Sequence, residues 1–213
     1  MRDERGQSLV EMAIITPLLL FMFLGLFEVG YVLRNYLIIM TTSREAARFA
    51  TKPDHMIITD TDATGYNEIV QHSINSAAGQ LQNELYQTGE SGLIISNIVA
   101  TVTMTDCKNN TYHVIYPGEY SREDLSYSTA PMYQSRVDWL SEAQKVGERH
   151  RNIACRYRDE NGQPLGIPNE HVVIVEMFYT SHQLLGVPLL SNSLTDPIPL
   201  YSRTEMRMVT GRD

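Results

Sequence analysis

Gly6 and Glu11 are the residues whose types and spacing point most directly to chemistry in this chain. Glu11 is a carboxylate five positions after a glycine, just inside an apolar stretch. From Met12 to Phe27 the sequence then carries no charge at all. An ionised group at membrane depth is costly unless it finds a partner. The acid therefore reads as a functional group whose work is electrostatic pairing rather than bond-making. The plainer alternative is a side chain that snorkels back to the interface about one turn away. Glu28 closes the charge-free run, and at about 1.5 Å per residue it lies roughly 32 Å along a helix from Gln7. That matches a hydrocarbon core of about 30 Å, so Glu28 reads as an interfacial acid.

Cys107 and Cys155 are the second candidate pair. In an exported domain they form a disulfide; in a reducing compartment they are two buried thiols. A bridge would close a loop of about fifty residues and contribute about 4 kcal/mol in the chain-entropy model. Neither cysteine has CxxC spacing, so a thiolate zinc site is not expected. Asp60-Thr-Asp62-Ala-Thr64-Gly65 imitates the first half of a calcium loop. The twelfth position, however, is Gln71 rather than a bidentate acid, which leaves helix capping and a turn as the simpler account. The basic run Arg149-His150-Arg151 to Arg158 is interleaved with Glu142, Glu148, Asp159 and Glu160, as on a solvated, ion-paired helix face. Tyrosines cluster at 112–133, either as an adhesive or subunit-contact surface or packed on their own domain. The six histidines share no metal-ligand spacing, and no HExxH, GxSxG, P-loop or dinucleotide-binding glycine motif occurs. No metal, no cofactor and no catalytic activity are expected.

Positioning Gly6 and Glu11 falls to one long helix. Leu9 to Leu33 is long enough to span a bilayer. A core helix of a soluble protein would show a polar face, and this stretch has none. A cleaved secretory signal would have a small-x-small site close behind it, and none follows. Pro17 falls inside the span and predicts a kink, with Thr16 placed to help satisfy the backbone that proline leaves unpaired. Beyond Arg34, Tyr36, Leu37, Met40, Ala47 and Ala50 recur at helical spacing, which predicts an amphipathic stem ended by Pro53.

Arg5-Gly-Gln-Ser-Leu-Val-Glu-Met-Ala-Ile-Ile-Thr-Pro-Leu-Leu-Leu20, then Gly25-Leu-Phe-Glu28, then Ser43-Arg-Glu-Ala-Ala-Arg48 together resemble the TadE-like minor pilins (pseudopilins) of the tight-adherence, Flp-type pilus system. The resemblance covers about the first fifty residues. It implies a leader of residues 1–6, cut by a prepilin peptidase between Gly6 and Gln7, and a mature helix of residues 7–52. It also implies an extracytoplasmic domain of residues 53–213. Glu11 then lies at mature position five, where it can neutralise the α-ammonium of a neighbouring subunit and set axial register. The implied partners are the prepilin peptidase, other Tad pilins and minor pilins, the inner-membrane assembly platform and membrane lipid. The rival is a membrane-anchored binding or sensor domain that keeps its helix uncleaved.

The charge balance fits an exported domain. From Pro53 onward there are 20 acids and 11 bases, a net charge of −9, which argues against nucleic acid as a partner. Bases flank the span on both sides, and the positive-inside balance mildly favours the reverse orientation. The resemblance and the cysteines favour a cytoplasmic N-terminus. About 160 residues follow the helix, enough for one core. Helical spacing predicts a second helix over 63–87 and a third over 136–157 with Val137, Leu140 and Val146 inward. Strands are predicted at 93–105, 112–116, 171–180 and 198–209, the first two forming a hairpin across 106–111. The expected class is α+β: a long membrane and stem helix, then a small domain with an antiparallel sheet and two further helices.

Overall fold

A computed structural model describes residues 4–52, 64–76, 91–115, 126–128, 134–157, 169–185 and 197–208. The protein is α+β. Helix α1 runs from Glu4 to Ala50, 47 residues or about 70 Å. Helix α2 is Thr64–Ser76, followed by strand β1, Ser91–Thr101. The stretch 77–87, expected to continue the second helix, lies outside the described residues. A six-residue helix α3, Met104–Asn109, leads to β2, His113–Ile115, and β3, Ser126–Ser128. Helix α4 is Trp139–Ala154, and strands β4, Glu170–Ser181, and β5, Ile198–Met208, complete the described elements.

The sheet order is β2-β1-β4-β5, with β3 also paired to β1. Strands β1 and β4 run antiparallel in a ten-pair register from Ser91–Tyr179 to Ala100–Glu170. The opposite edge of β1 is shared: β3 takes Ile94–Ser96 and β2 takes Val99–Thr101, both antiparallel. All of β1 from Ser91 to Ala100 and all of β4 from His171 to Tyr179 are buried. That explains why Val172-Val-Ile-Val175 reads as an unbroken apolar run rather than an alternation. Strand β5 keeps the period of two expected of a half-buried strand, with Ser202 and Met208 buried and Arg203, Glu205 and Arg207 exposed.

Helix α4 covers one face of this sheet. Val137 and Val146 pack with Ile98, Ala100, Val172 and Ile174, flanked by Val114 and Trp139. Leu140, expected inward, is 61% exposed instead. It sits in the first turn beside the Asp138 N-cap, and the buried stripe of α4 is Ala143, Val146, Gly147, His150 and Ala154. The predicted 93–105 strand also stops early, at Thr101. Thr103 caps α3 instead: its hydroxyl accepts from the Asp106 N–H while Asp106 accepts from the Thr103 N–H, a reciprocal capping box. The hairpin partner at 113–115 is present, reached through α3 and Asn110, which takes the left-handed conformation at φ 60°.

The chain forms two compact units. One holds α1 up to Ile38 together with the stretch from Thr180 to Leu200; the other holds Ile39–Tyr179 and the residues from Tyr201 on. Each is described in its own right below.

Candidate functional site

In the first unit the apolar surface of α1 has no covering among the described residues. Apart from the half-buried Leu24, the large apolar side chains from Leu9 to Phe27 are 45–73% exposed. This helix is long and apolar enough to cross a membrane by length and composition. Gly6 and Gln7 fall in its first turns, where backbone N–H groups lack intrahelical acceptors. Glu11 is exposed on the same apolar surface. Pro17 lies inside the helix, which continues through it. Thr16 Oγ1 donates to the Met12 carbonyl at 2.7 Å. The carbonyl that Pro17 cannot serve belongs to Ala13, one residue further on, so Thr16 supports the preceding turn rather than the gap itself.

Glu28 is not a free interfacial acid. It is only 8% exposed, and its two oxygens accept the backbone N–H groups of Leu184 and Leu185 at 3.0 and 2.6 Å. Two turns on, buried Asn35 donates to Ser181 Oγ at 3.1 Å. The sequence hint was the spacing Glu28–Asn35, two helical turns on one face; nothing near 184 announced the partner.

In the second unit, the Ser43–Arg48 box has a visible purpose. Ala46 and Ala47 are fully buried. Ser43 Oγ donates to the Met40 carbonyl at 3.0 Å and lies 2.8 Å from Ser202 Oγ and 2.9 Å from Thr204 Oγ1 on β5. With its one proton given to Met40, Ser43 accepts from both β5 hydroxyls, and none of the three is left unpaired. On the outer side Arg48 grips Glu45 with both Nε and Nη2. That contact is the largest cause holding the Glu45 carboxyl below its usual range. His72 of α2 lies 3.4 Å from the same carboxylate and stacks on Phe49, ring centroids 4.1 Å apart. Thr51 donates to the Arg48 and Ala47 carbonyls, satisfying the helix end just before Pro53.

The family model described as TadE-like protein matches residues 6–48. Over that stretch the N-terminal arm is similar to the TadE-like family. The TadE-like match runs from the glycine before the apolar helix to the last residue of the box. It supports a pilin role associated with a Tad pilus. No curated protein and no solved structure matches the chain.

Outside the TadE-like arm, Cys107 at α3 and Cys155 at the end of α4 form a disulfide, Cα atoms 5.5 Å apart. Asp106, next to it, is a hub. Its carboxylate accepts from the Thr103 hydroxyl and N–H and from Thr111 Oγ1, which lowers its pKa to about 2. Within the basic run Arg149 is ion-paired with Glu170 of β4, whereas Arg151 donates to the Asn110 carbonyl and lies over the Tyr112 ring. Burial keeps His150 and His171 below the usual histidine range and so neutral. Among the described residues no group of three His, Cys, Asp or Glu is placed to hold a metal. The calcium-like stretch 60–63 and the tyrosines at 116, 120 and 133 lie outside the described residues.

Sequence reasoning passed over Glu176. It is a fully buried carboxylate on β4. Ser135 Oγ, the Arg136 N–H at 2.9 Å and Tyr201 Oη at 2.8 Å all donate to it. The Arg136 guanidinium lies over the Tyr201 and Phe178 rings, 4.8 and 5.7 Å from their centroids. The signal was present: one acid inside a strand that is apolar on both faces must have partners.

Proposed function

We propose that this chain is a minor pilin or pseudopilin of a Tad/Flp-type pilus, a structural component rather than an enzyme. The observation that carries the reading is the TadE-like match over residues 6–48, on a helix whose apolar surface the described residues leave uncovered. In this reading a prepilin peptidase cuts between Gly6 and Gln7. The helix anchors in the cytoplasmic membrane with its N-terminus inside and the domain outside, where the Cys107–Cys155 bridge persists. It then packs against other Tad pilins on the inner-membrane assembly platform. Glu11 supplies the charge that pairs with the new α-ammonium of a neighbour. Such a pair contributes register more than net stability.

The test is the N-terminal mass of the full-length protein from membranes, with and without a co-expressed prepilin peptidase. Loss of residues 1–6, leaving Gln7 first, is the expected result. An intact N-terminus beside an active peptidase overturns the reading and leaves a static anchor carrying a binding or sensor domain. Glu11→Gln should leave expression intact and reduce piliation; unchanged piliation removes the assembly role from the acid.

A further inference from the structure

We propose that the turn at Leu184–Leu185 is a second, shallow membrane contact, its leucines seated among the phospholipid acyl chains at the C-terminal end of the α1 span and held there by Glu28. The inference rests on the reading of α1 as a membrane span. Glu28 is the first charge after Met12–Phe27, so it stands where the helix leaves hydrocarbon. Its carboxylate fixes the backbone of Leu184 and Leu185 at that same level through hydrogen bonds of 3.0 and 2.6 Å. The Asn35–Ser181 hydrogen bond ties the same segment to α1 again.

Backbone outside a helix is tolerated at this depth only when its polar groups are satisfied. Here the acid and the two N–H groups satisfy one another, which removes the main cost of placing both at the boundary. The side chains then face outward: Leu184 is 59% and Leu185 45% exposed. Beside them runs a mostly apolar groove of about 340 Å³ lined by Gly25, Glu28, Val29, Val32, Leu33, Gln183 and Ile198. The sequence carries no charge from 183 to 195. Any surface at that level meets the acyl–headgroup boundary, and exposed leucines there bury themselves in it.

The test places a tryptophan in the full-length chain, in a Trp139→Phe background that removes the native fluorophore, and reconstitutes it in phosphatidylcholine nanodiscs. Some discs carry lipid brominated high on the acyl chain, others lipid brominated deep. Leu185→Trp, and independently Leu184→Trp, should lose most of its emission to the shallow bromines. Phe23→Trp, inside the span, should lose it to the deep ones. Adding Glu28→Ala to Leu185→Trp should restore emission. If Phe23→Trp is quenched while both turn variants keep full emission, the contact is overturned and the span stands. This includes blue-shifted emission that disappears on dilution into excess lipid, which would mark a second protein copy on the turn. If Phe23→Trp is unquenched as well, the span itself falls and the contact with it.

Discussion

Glu176→Ala should destabilise the sheet domain by about 2–4 kcal/mol, although Glu176 is fully buried and lies far in sequence from the N-terminal arm. Three donors converge on its carboxylate: Ser135 Oγ, the Arg136 N–H and Tyr201 Oη. Truncation strands them, at about 1–3 kcal/mol for each that water cannot reach. Ser135 and Tyr201 are only half-buried and Arg136 is exposed, which keeps the total toward the lower half of that range. For a domain of this size the loss corresponds to a fall in Tm of roughly 5–15 °C. Tyr201→Phe alone removes one hydrogen bond to a charged acceptor, about 1.5–3 kcal/mol. The two substitutions share one interaction, so the double variant should cost less than their sum by about 1–2 kcal/mol. The assay is urea unfolding of the full-length protein in detergent, followed by the fluorescence of Trp139, which packs against the domain core. A pH series adds an independent check. Burial first, and then the Glu176 carboxylate, push the Tyr201 hydroxyl well above its ordinary value of 10.0. The folded state therefore holds this proton more tightly than the unfolded state does. That stabilisation is complete below pH about 10 and is lost progressively above it, and Tyr201→Phe should remove this part of the alkaline slope. Additivity of Glu176→Ala and Tyr201→Phe within about 0.5 kcal/mol, with unchanged alkaline slopes, would refute the network.

Three further outcomes follow from the same geometry. Gly147→Ala in the middle of α4 should destabilise by about 1–3 kcal/mol, against the gain of about 1 kcal/mol that helix propensity alone predicts, because its Cβ would overlap the Tyr112 ring and stand 2.8 Å from Val114 Cγ2; thermal unfolding reads the sign directly. Replacing Cys107 and Cys155 with serine should cost about 4 kcal/mol, given a sequence separation of 48, and reductant should lower the urea midpoint of the native chain but not of the variant. Asp106 has its folded pKa lowered from 3.8 to about 2, so the stability it supplies is present above pH about 4 and fades as pH falls toward 2; Asp106→Asn should be less stable at pH about 6 and flatten the acid limb of the stability profile.

What the sequence disclosed depended on the period of the signal. The α1 arm announced itself because a long charge-free run of Leu, Phe and Met between two acids suits a bilayer and little else. Residues 171–180 did so because four consecutive β-branched residues fit a strand buried on both faces. Helix α3 was hidden. Val102–Thr105 is mostly β-branched, yet the Thr103–Asp106 capping pair overrides strand propensity once Asp106 can also take Thr111. Leu140 misled because helical spacing ignores where the helix starts: in the first turn of α4 the core has not yet been reached. Glu28, Asn35 and Ser43 share a further limit. Each bonds to a residue about 150 positions away, at Leu184, Ser181 and Ser202, and no local pattern carries a partner across that distance.

The ends of the TadE-like match answer to two different solvents. Between Gly6 and Phe27 the requirement is apolarity on every side, with Glu11 as the sole charge, and Leu, Phe and Met satisfy it without a defined face. From Ser43 to Arg48 the requirement is a defined face. Alanines at 46 and 47 bring the helix backbone close, Ser43 answers two hydroxyls of β5, and Glu45 and Arg48 lock each other on the exposed side beside His72 of α2. A larger residue at 46 or 47 would push the stem away from what buries it, and an apolar one at 43 would leave Ser202 and Thr204 without an acceptor they now share. The box is therefore an internal docking surface, already occupied by this chain's own sheet and second helix. In the proposed pilin reading it is therefore not available to a sister subunit. In that reading, contacts between subunits fall to the apolar helix carrying Glu11, whose surface the described residues leave uncovered.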